Sequence, residues 1–214
     1  MQNFYYENLS FYYGKKIVVN NLCLKFNKGD IIALVGYNGV GKTTLLKLIA
    51  GVLRPQKYTV SFLIEKPCFY PYMTGIQNLQ YFSMLYNKTL YTAEEVLKMV
   101  GLWNDRNLNY QSYSYGMKQK LGIAKCLLQD AEIYLFDEPL NGIDAIGIKM
   151  FRQIVQKLKS LGKSVIISSH ILGELDKYCN KLFILKGHSN YQMLDLKNEN
   201  STIENLFLGS DSNA

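Results

Sequence analysis

The chain has 214 residues, 48% of them apolar and 19% charged. That balance suits a globular chain with a buried core and excludes collagen, coiled coil and global disorder. The net charge of +7 comes from scattered Lys and Arg with no block resembling a nucleic-acid arm. It reads first as a solvated basic surface and second as a membrane-proximal one.

The start, Met1-Gln2-Asn3-Phe4, lacks the basic-then-apolar pattern of a secretion signal. No apolar run approaches the ~18–20 residues of a membrane span, so a cytosolic chain is expected. Cys23, Cys68, Cys126 and Cys179 form no CxxC pair. They are expected as free, mostly buried thiols, neither a zinc site nor a redox motif.

Short β-prone runs occupy residues 4–9, 17–19 and 22–26, broken by Gly14 and Gly29. Ile31–Val35 is a continuous apolar run, the pattern of a strand buried on both faces. A glycine-rich loop follows, then a predicted helix over 42–50 that Gly51 ends. Residues 74–129 read as helical, with apolar positions at Leu79, Phe82 and Leu85 and again at Val96, Leu97 and Val100. Residues 133–136 and 165–168 read as two more buried strands. Between them, Phe151, Ile154, Val155, Leu158 and Leu161 form one helical face that Gly162 stops. Ser201 and Glu204 have capping-box spacing and predict a short helix through Leu208. Strands alternate with helices at both ends around an all-helical stretch, which predicts an α/β nucleotide-binding core with an inserted helical subdomain.

Two motifs carry chemistry. Residues 36–43 read Gly-Tyr-Asn-Gly-Val-Gly-Lys-Thr, a GxxxxGK[ST] loop after a strand and opening a helix. Glycines let backbone N–H groups face phosphates, and the helix N-terminus adds partial positive charge. Lys42 is the candidate for the β- and γ-phosphates and Thr43 for Mg²⁺, with Thr44 also in reach of phosphate. The second motif is Asp137-Glu138 at the end of the apolar run 133–136. Two carboxylates there are costly unless a cation or catalysis uses them. Asp137 fits the Mg²⁺-holding acid and Glu138 the base that polarises water.

Three further segments narrow the class. Residues 113–120 read Tyr-Ser-Tyr-Gly-Met-Lys-Gln-Lys, Asn141-Gly142-Ile143-Asp144 follows the acid pair, and His170 follows Ile167-Ser168-Ser169. With the two motifs, in this order over nearly the whole chain, they resemble an ABC-type ATPase, the nucleotide-binding subunit of an ATP-binding-cassette transporter. The resemblance implies a P-loop NTPase core with an N-terminal antiparallel β subdomain and an inserted α-helical subdomain. Residues 1–71 and 130–214 would form the core and 72–129 the helical part. It implies ATP and Mg²⁺ as cofactors and a head-to-tail dimer, of two copies or with a paired ATPase subunit. Gly36, Asn38, Gly39, Gly41, Lys42, Thr43 and Thr44 would hold the phosphates and Tyr13 the adenine. Ser114 and Gly116 match the signature that reaches the opposite subunit's ATP, and His170 the switch histidine.

Three departures accompany the resemblance. Tyr115 and Met117 replace a glycine and a glutamine of the common signature. Glu65 stands where a glutamine is usual, a third oxygen candidate for the metal beside Thr43 and Asp137, and this glutamate is similar to that of bacitracin and lantibiotic subunits. The stretch 54–65 is short. The expected function is ATP hydrolysis driving export of a peptide, lantibiotic or drug through a separate integral-membrane permease, at the inner face of the cell membrane. No nucleic acid is expected. The permease is expected to dock over residues 66–90, where Phe69, Tyr70, Tyr72 and Met73 cluster. The alternatives are a non-transport ATPase of this fold acting on a ribosome or DNA, and a non-hydrolysing assembly module. Intact Lys42, Asp137, Glu138 and His170 speak against the last.

Overall fold

The computed structural model describes residues 3–65 and 67–210. Lys66, the first residue of the expected docking surface, lies outside them, as do Met1 and Gln2.

The β-prone N-terminal runs merge into two long strands, β1 (Asn3–Tyr13) and β2 (Lys16–Asn27), paired antiparallel around a turn at Gly14 and Lys15. β3 (Ile31–Val35) leads through the phosphate loop into α1 (Lys42–Ile49). No helix or strand occupies the short segment before β4 (Val60–Leu63). Three helices follow: α2 (Gly75–Met84), α3 (Ala93–Met99) and α4 (Tyr115–Leu128). Thr74 and Thr92 close reciprocal capping boxes with Gln77 and Glu95, satisfying orphan N–H groups at the starts of α2 and α3. The chain then runs β5 (Ile133–Asp137), α5 (Ala145–Ser160), β6 (Ser164–Ser168), α6 (Leu172–Leu175), β7 (Lys181–Leu185), β8 (Tyr191–Asp195) and α7 (Ile203–Gly209).

The larger sheet has the order β4-β5-β6-β3-β7-β8, parallel except for the antiparallel edge strand β8. Its central strands are buried on both faces, as their unbroken apolar runs require. Alternation along β3 divides the core. Ile31, Ala33 and Val35 face a cluster shared with the helices α2 to α5. Ile32 and Leu34 face a second cluster shared with the β1–β2 hairpin and α1. The fold is the α/β architecture expected, with an antiparallel hairpin at its start and a helical stretch inside it.

Four expectations need correction. Leu85 and Leu161 are exposed, because each is a helix C-cap where the apolar face has already ended. The cap of α7 is Thr202, whose hydroxyl accepts from Asn205 N, and Ser201 lies one residue outside. Cys23 and Cys68 are exposed, leaving Cys126 as the fully buried thiol. Cys23 points outward because β2 alternates and its inward neighbours are Leu22 and Leu24.

Candidate functional site

The parallel strands deliver their functional residues to one edge of the sheet. β3 ends at the phosphate loop, β5 at Asp137 and β6 at Ser168. A cleft of about 570 Å³ opens there. Tyr13, Asn38, Gly39, Gly41, Lys42, Thr43, Thr44, Glu65, Asp137 and Glu138 all line it.

The loop is shaped by close approach. Gly41 caps α1 with φ of 113°, and a Cβ there would stand 3.1 Å from a Val18 methyl. A side chain would be both strained and crowded. Lys42 Nζ donates to the carbonyls of Gly36 (2.6 Å) and Tyr37 (3.1 Å), which anchors the ammonium over the loop. Burial pushes Lys42 below the usual lysine pKa, while Glu138 and Asp137 pull it back up. Tyr13 ends β1 exposed at the cleft, its ring edge-on to Phe11 at 5.0 Å.

Thr43 Oγ1 donates to Asp137 Oδ2 at 2.7 Å, and the buried Ser168 hydroxyl donates to Asp137 Oδ1. A hydroxyl and a carboxylate thus converge on one point, an oxygen-only donor set that suits Mg²⁺. No cluster of three His, Cys, Asp or Glu residues able to hold a metal occurs among the described residues. Glu65 does not join the pair. Its Oε1 lies 2.5 Å from Lys47 Nζ, and that hydrogen bond raises the Lys47 pKa.

Glu138 is held in the left-handed region, φ of 49°, a costly conformation for a non-glycine residue. Hydrogen bonds from both its backbone and its side chain fix it. Its N–H donates to Ser168 O (3.1 Å) and Ser168 Oγ (3.2 Å), and its carbonyl accepts from Gln119 Nε2 (3.3 Å). Its carboxylate Oε2 meets His170 Nδ1 at 2.8 Å. The base candidate and the switch-histidine candidate are therefore in contact.

The two signature candidates do not line this cleft. The Ser114 hydroxyl accepts from Met117 N and caps α4. Gly116 packs on the backbone of Gly142, and the intervening Tyr115 lines the cleft with its ring against Gly142. Sequence reasoning missed Gln119 and Ser168 as supports of the acid pair, along with Lys16 and Val18 in the wall. Ser168 had a usable signal, a polar residue directly after the apolar run Val165-Ile166-Ile167. Gln119 had none.

The family model described as ABC transporter matches residues 19–141, from the second hairpin strand through the phosphate loop to the acid pair. The chain belongs to the ABC transporter family.

Within that family it is an ATP-binding subunit and an ATPase. The bacitracin transport ATP-binding protein BcrA of Enterococcus faecalis is 36% identical, over 85% of this chain and 66% of the relative. The lantibiotic transport ATP-binding protein SrtF of Streptococcus pyogenes is 33% identical, over 85% and 86%. The uncharacterized ABC transporter ATP-binding protein YdbJ of Bacillus subtilis is 31% identical, over 94% and 72%. A solved ATP-binding subunit of an ABC transporter superposes with a TM-score of 0.84 at 24% identity, covering 96% of this chain and 98% of that one. A dimeric ATP-binding cassette with ADP and Pi bound superposes at 0.79 and 20% identity, covering 92% and 100%. Both likenesses speak to the ABC fold. No helix among the described residues is long and apolar enough to cross a membrane.

Proposed function

We propose that this ABC subunit hydrolyses ATP to drive export of a peptide, lantibiotic or drug through a separate permease. The observation that carries the hydrolytic part is the convergence of Lys42, the Thr43–Asp137 pair and Glu138 in one cleft. The names of BcrA and SrtF support a peptide-type cargo.

In this reading Gly36, Asn38, Gly39, Gly41 and Thr44 bind the phosphates and Tyr13 stacks on the adenine. Thr43 and Asp137 would hold Mg²⁺, which when bound neutralises charge on the β- and γ-phosphates. Glu138 accepts a proton from water as the water oxygen bonds to the γ-phosphorus and the bond to the β-phosphate oxygen breaks. Lys42 offsets the negative charge that spreads over the phosphoryl oxygens. His170 orients the Glu138 carboxylate and reads the γ-phosphate. Ser114 and Gly116 serve the ATP of an opposing subunit, a role their position outside this chain's own cleft permits.

Residues 72–129 would move as one helical unit against 1–71 and 130–214, carrying a permease seat with them. Tyr72 and Met84 are each 81% exposed, and Tyr70 and Tyr81 are exposed beside them with ring centroids 5.0 Å apart. Buried Asn78 fixes the loop that presents Tyr70 and Tyr72 by bonding the Tyr70, Met73 and Thr74 carbonyls. Phe69 packs inward on Phe82 and Tyr110, so it supports this patch from beneath. The subunit would work at the inner face of the cell membrane.

Glu138→Gln keeps the side-chain shape and removes the base. Nucleotide binding is expected to persist while hydrolysis falls by about 10²–10⁴. Turnover at the wild-type rate would remove Glu138 from this role. Detergent pull-down of the tagged subunit from its own membranes is expected to bring a polytopic membrane protein in stoichiometric amount. Ribosomal or DNA-repair proteins in its place would overturn the transport reading.

A further inference from the structure

We propose that Lys47 is a positioning residue that neutralises Glu65 and so makes the cleft acceptable to a polyphosphate. The inference rests on the nucleotide reading above.

Among the described residues, three carboxylates line the cleft: Glu65, Asp137 and Glu138. Each would repel the phosphates that the loop's N–H groups and Lys42 attract. Asp137 is turned toward the hydroxyls of Thr43 and Ser168, and Glu138 toward His170. Glu65 has a full cation on it. Lys47 stands four residues after Thr43 on α1, hence on the same helix face and one turn deeper. Its ammonium reaches Glu65 Oε1 at 2.5 Å.

The pair is asymmetric. The Lys47 side chain is 22% exposed and that of Glu65 62%, so the lysine is the fixed member and the carboxylate the one that faces the opening. Glu65 also sits at φ of 63°, a strained backbone state for a non-glycine residue. A tether to α1 keeps its carboxylate from swinging toward the loop. Removing Lys47 would leave an uncompensated negative charge in the wall of an anion site. Removing Glu65 alone would leave an extra positive one.

The test is equilibrium binding of a fluorescent ATP analogue in EDTA, so that no metal competes for Glu65 and no turnover is needed. Lys47→Met is expected to weaken binding about tenfold at 50 mM KCl. The defect should shrink to about threefold at 0.5 M KCl, where screening shortens the reach of the unpaired charge. Glu65→Gln should tighten binding. The double variant should return to within about twofold of wild type. A swapped pair, Lys47→Glu with Glu65→Lys, should also bind, which tests the idea if Lys47→Met is poorly folded by circular dichroism. A Lys47→Met defect that ignores both salt and Glu65→Gln means that Lys47 only packs, and the inference is wrong. An unchanged affinity in Lys47→Met also overturns it. Failure of the wild-type chain to bind the analogue would instead bring down the nucleotide reading on which it stands.

Discussion

Ser168→Ala isolates the support of the acid pair. The hydroxyl is fully buried at the end of β6, in register with Asp137 on β5. It donates to Asp137 Oδ1 and accepts from Glu138 N. Deletion leaves that N–H paired, because the Ser168 carbonyl also receives it at 3.1 Å. Asp137 keeps the Thr43 hydroxyl on its other oxygen. The net loss is one hydrogen bond to a charged acceptor, about 1.5–3 kcal/mol. For a chain of this size each kcal/mol moves the melting temperature by about 2–4 °C. Scanning calorimetry without nucleotide should thus show a drop of about 3–12 °C. ATPase activity should fall as well, because Asp137 is then fixed by the Thr43 hydroxyl alone. A melting point within about 1 °C of wild type would refute the reasoning, since the hydroxyl would then not be holding the carboxylate.

Gly142→Ala adds a Cβ at φ of 69° that would stand 2.3 Å from Tyr115 Cδ1. It is expected to cost about 2–4 kcal/mol from strain and overpacking. Tyr115→Ala in the same chain should recover part of this in urea unfolding and leave the strain. Asp130 is held below its ordinary pKa by hydrogen bonds from Lys163 and Lys88. Its stabilisation is therefore present above the unfolded value near ~3.9 and is lost as pH falls through the lower folded value. The gap in urea midpoint between wild type and Lys163→Met should accordingly narrow as pH drops from 7 toward 3, and a constant gap would count against the pairing. Ellman's reagent should titrate Cys23 and Cys68 in the native chain. Cys126, its thiol pushed up to about 12 by burial, should react only after unfolding.

The phosphate loop and the acid pair are legible in the sequence because each follows a strand buried on both faces, and continuous apolar runs are easy to see. β8 is not legible. Tyr-Gln-Met-Leu-Asp is a half-buried edge strand with little alternation, fixed by pairing with β7. β4 is four residues long and gains its identity from pairing with β5. Helix ends are misread for a related reason: periodicity predicts Leu85 and Leu161 on a face that the backbone has already left. At the site, the residues that touch a ligand in such motifs can be nominated from spacing. Of those that hold them, Ser168 left a signal as the polar residue after an apolar run, whereas Gln119 and Lys47 become visible only through their hydrogen bonds to Glu138 and Glu65.

The strand order also sets a timetable for synthesis. β3 carries the phosphate loop, yet its two neighbours are β6 and β7, which begin at residues 164 and 181. At ~5–20 residues per second, the ribosome takes roughly 7–26 s to supply the first of them. Throughout that interval five fully apolar residues wait without a partner, while the β1–β2 hairpin can already close on itself. A nascent chain stalled before β6 would expose a sticky, unpaired strand just ahead of the glycine-rich loop. The candidate site, which needs β3, β5 and β6 side by side, is therefore completed late in synthesis.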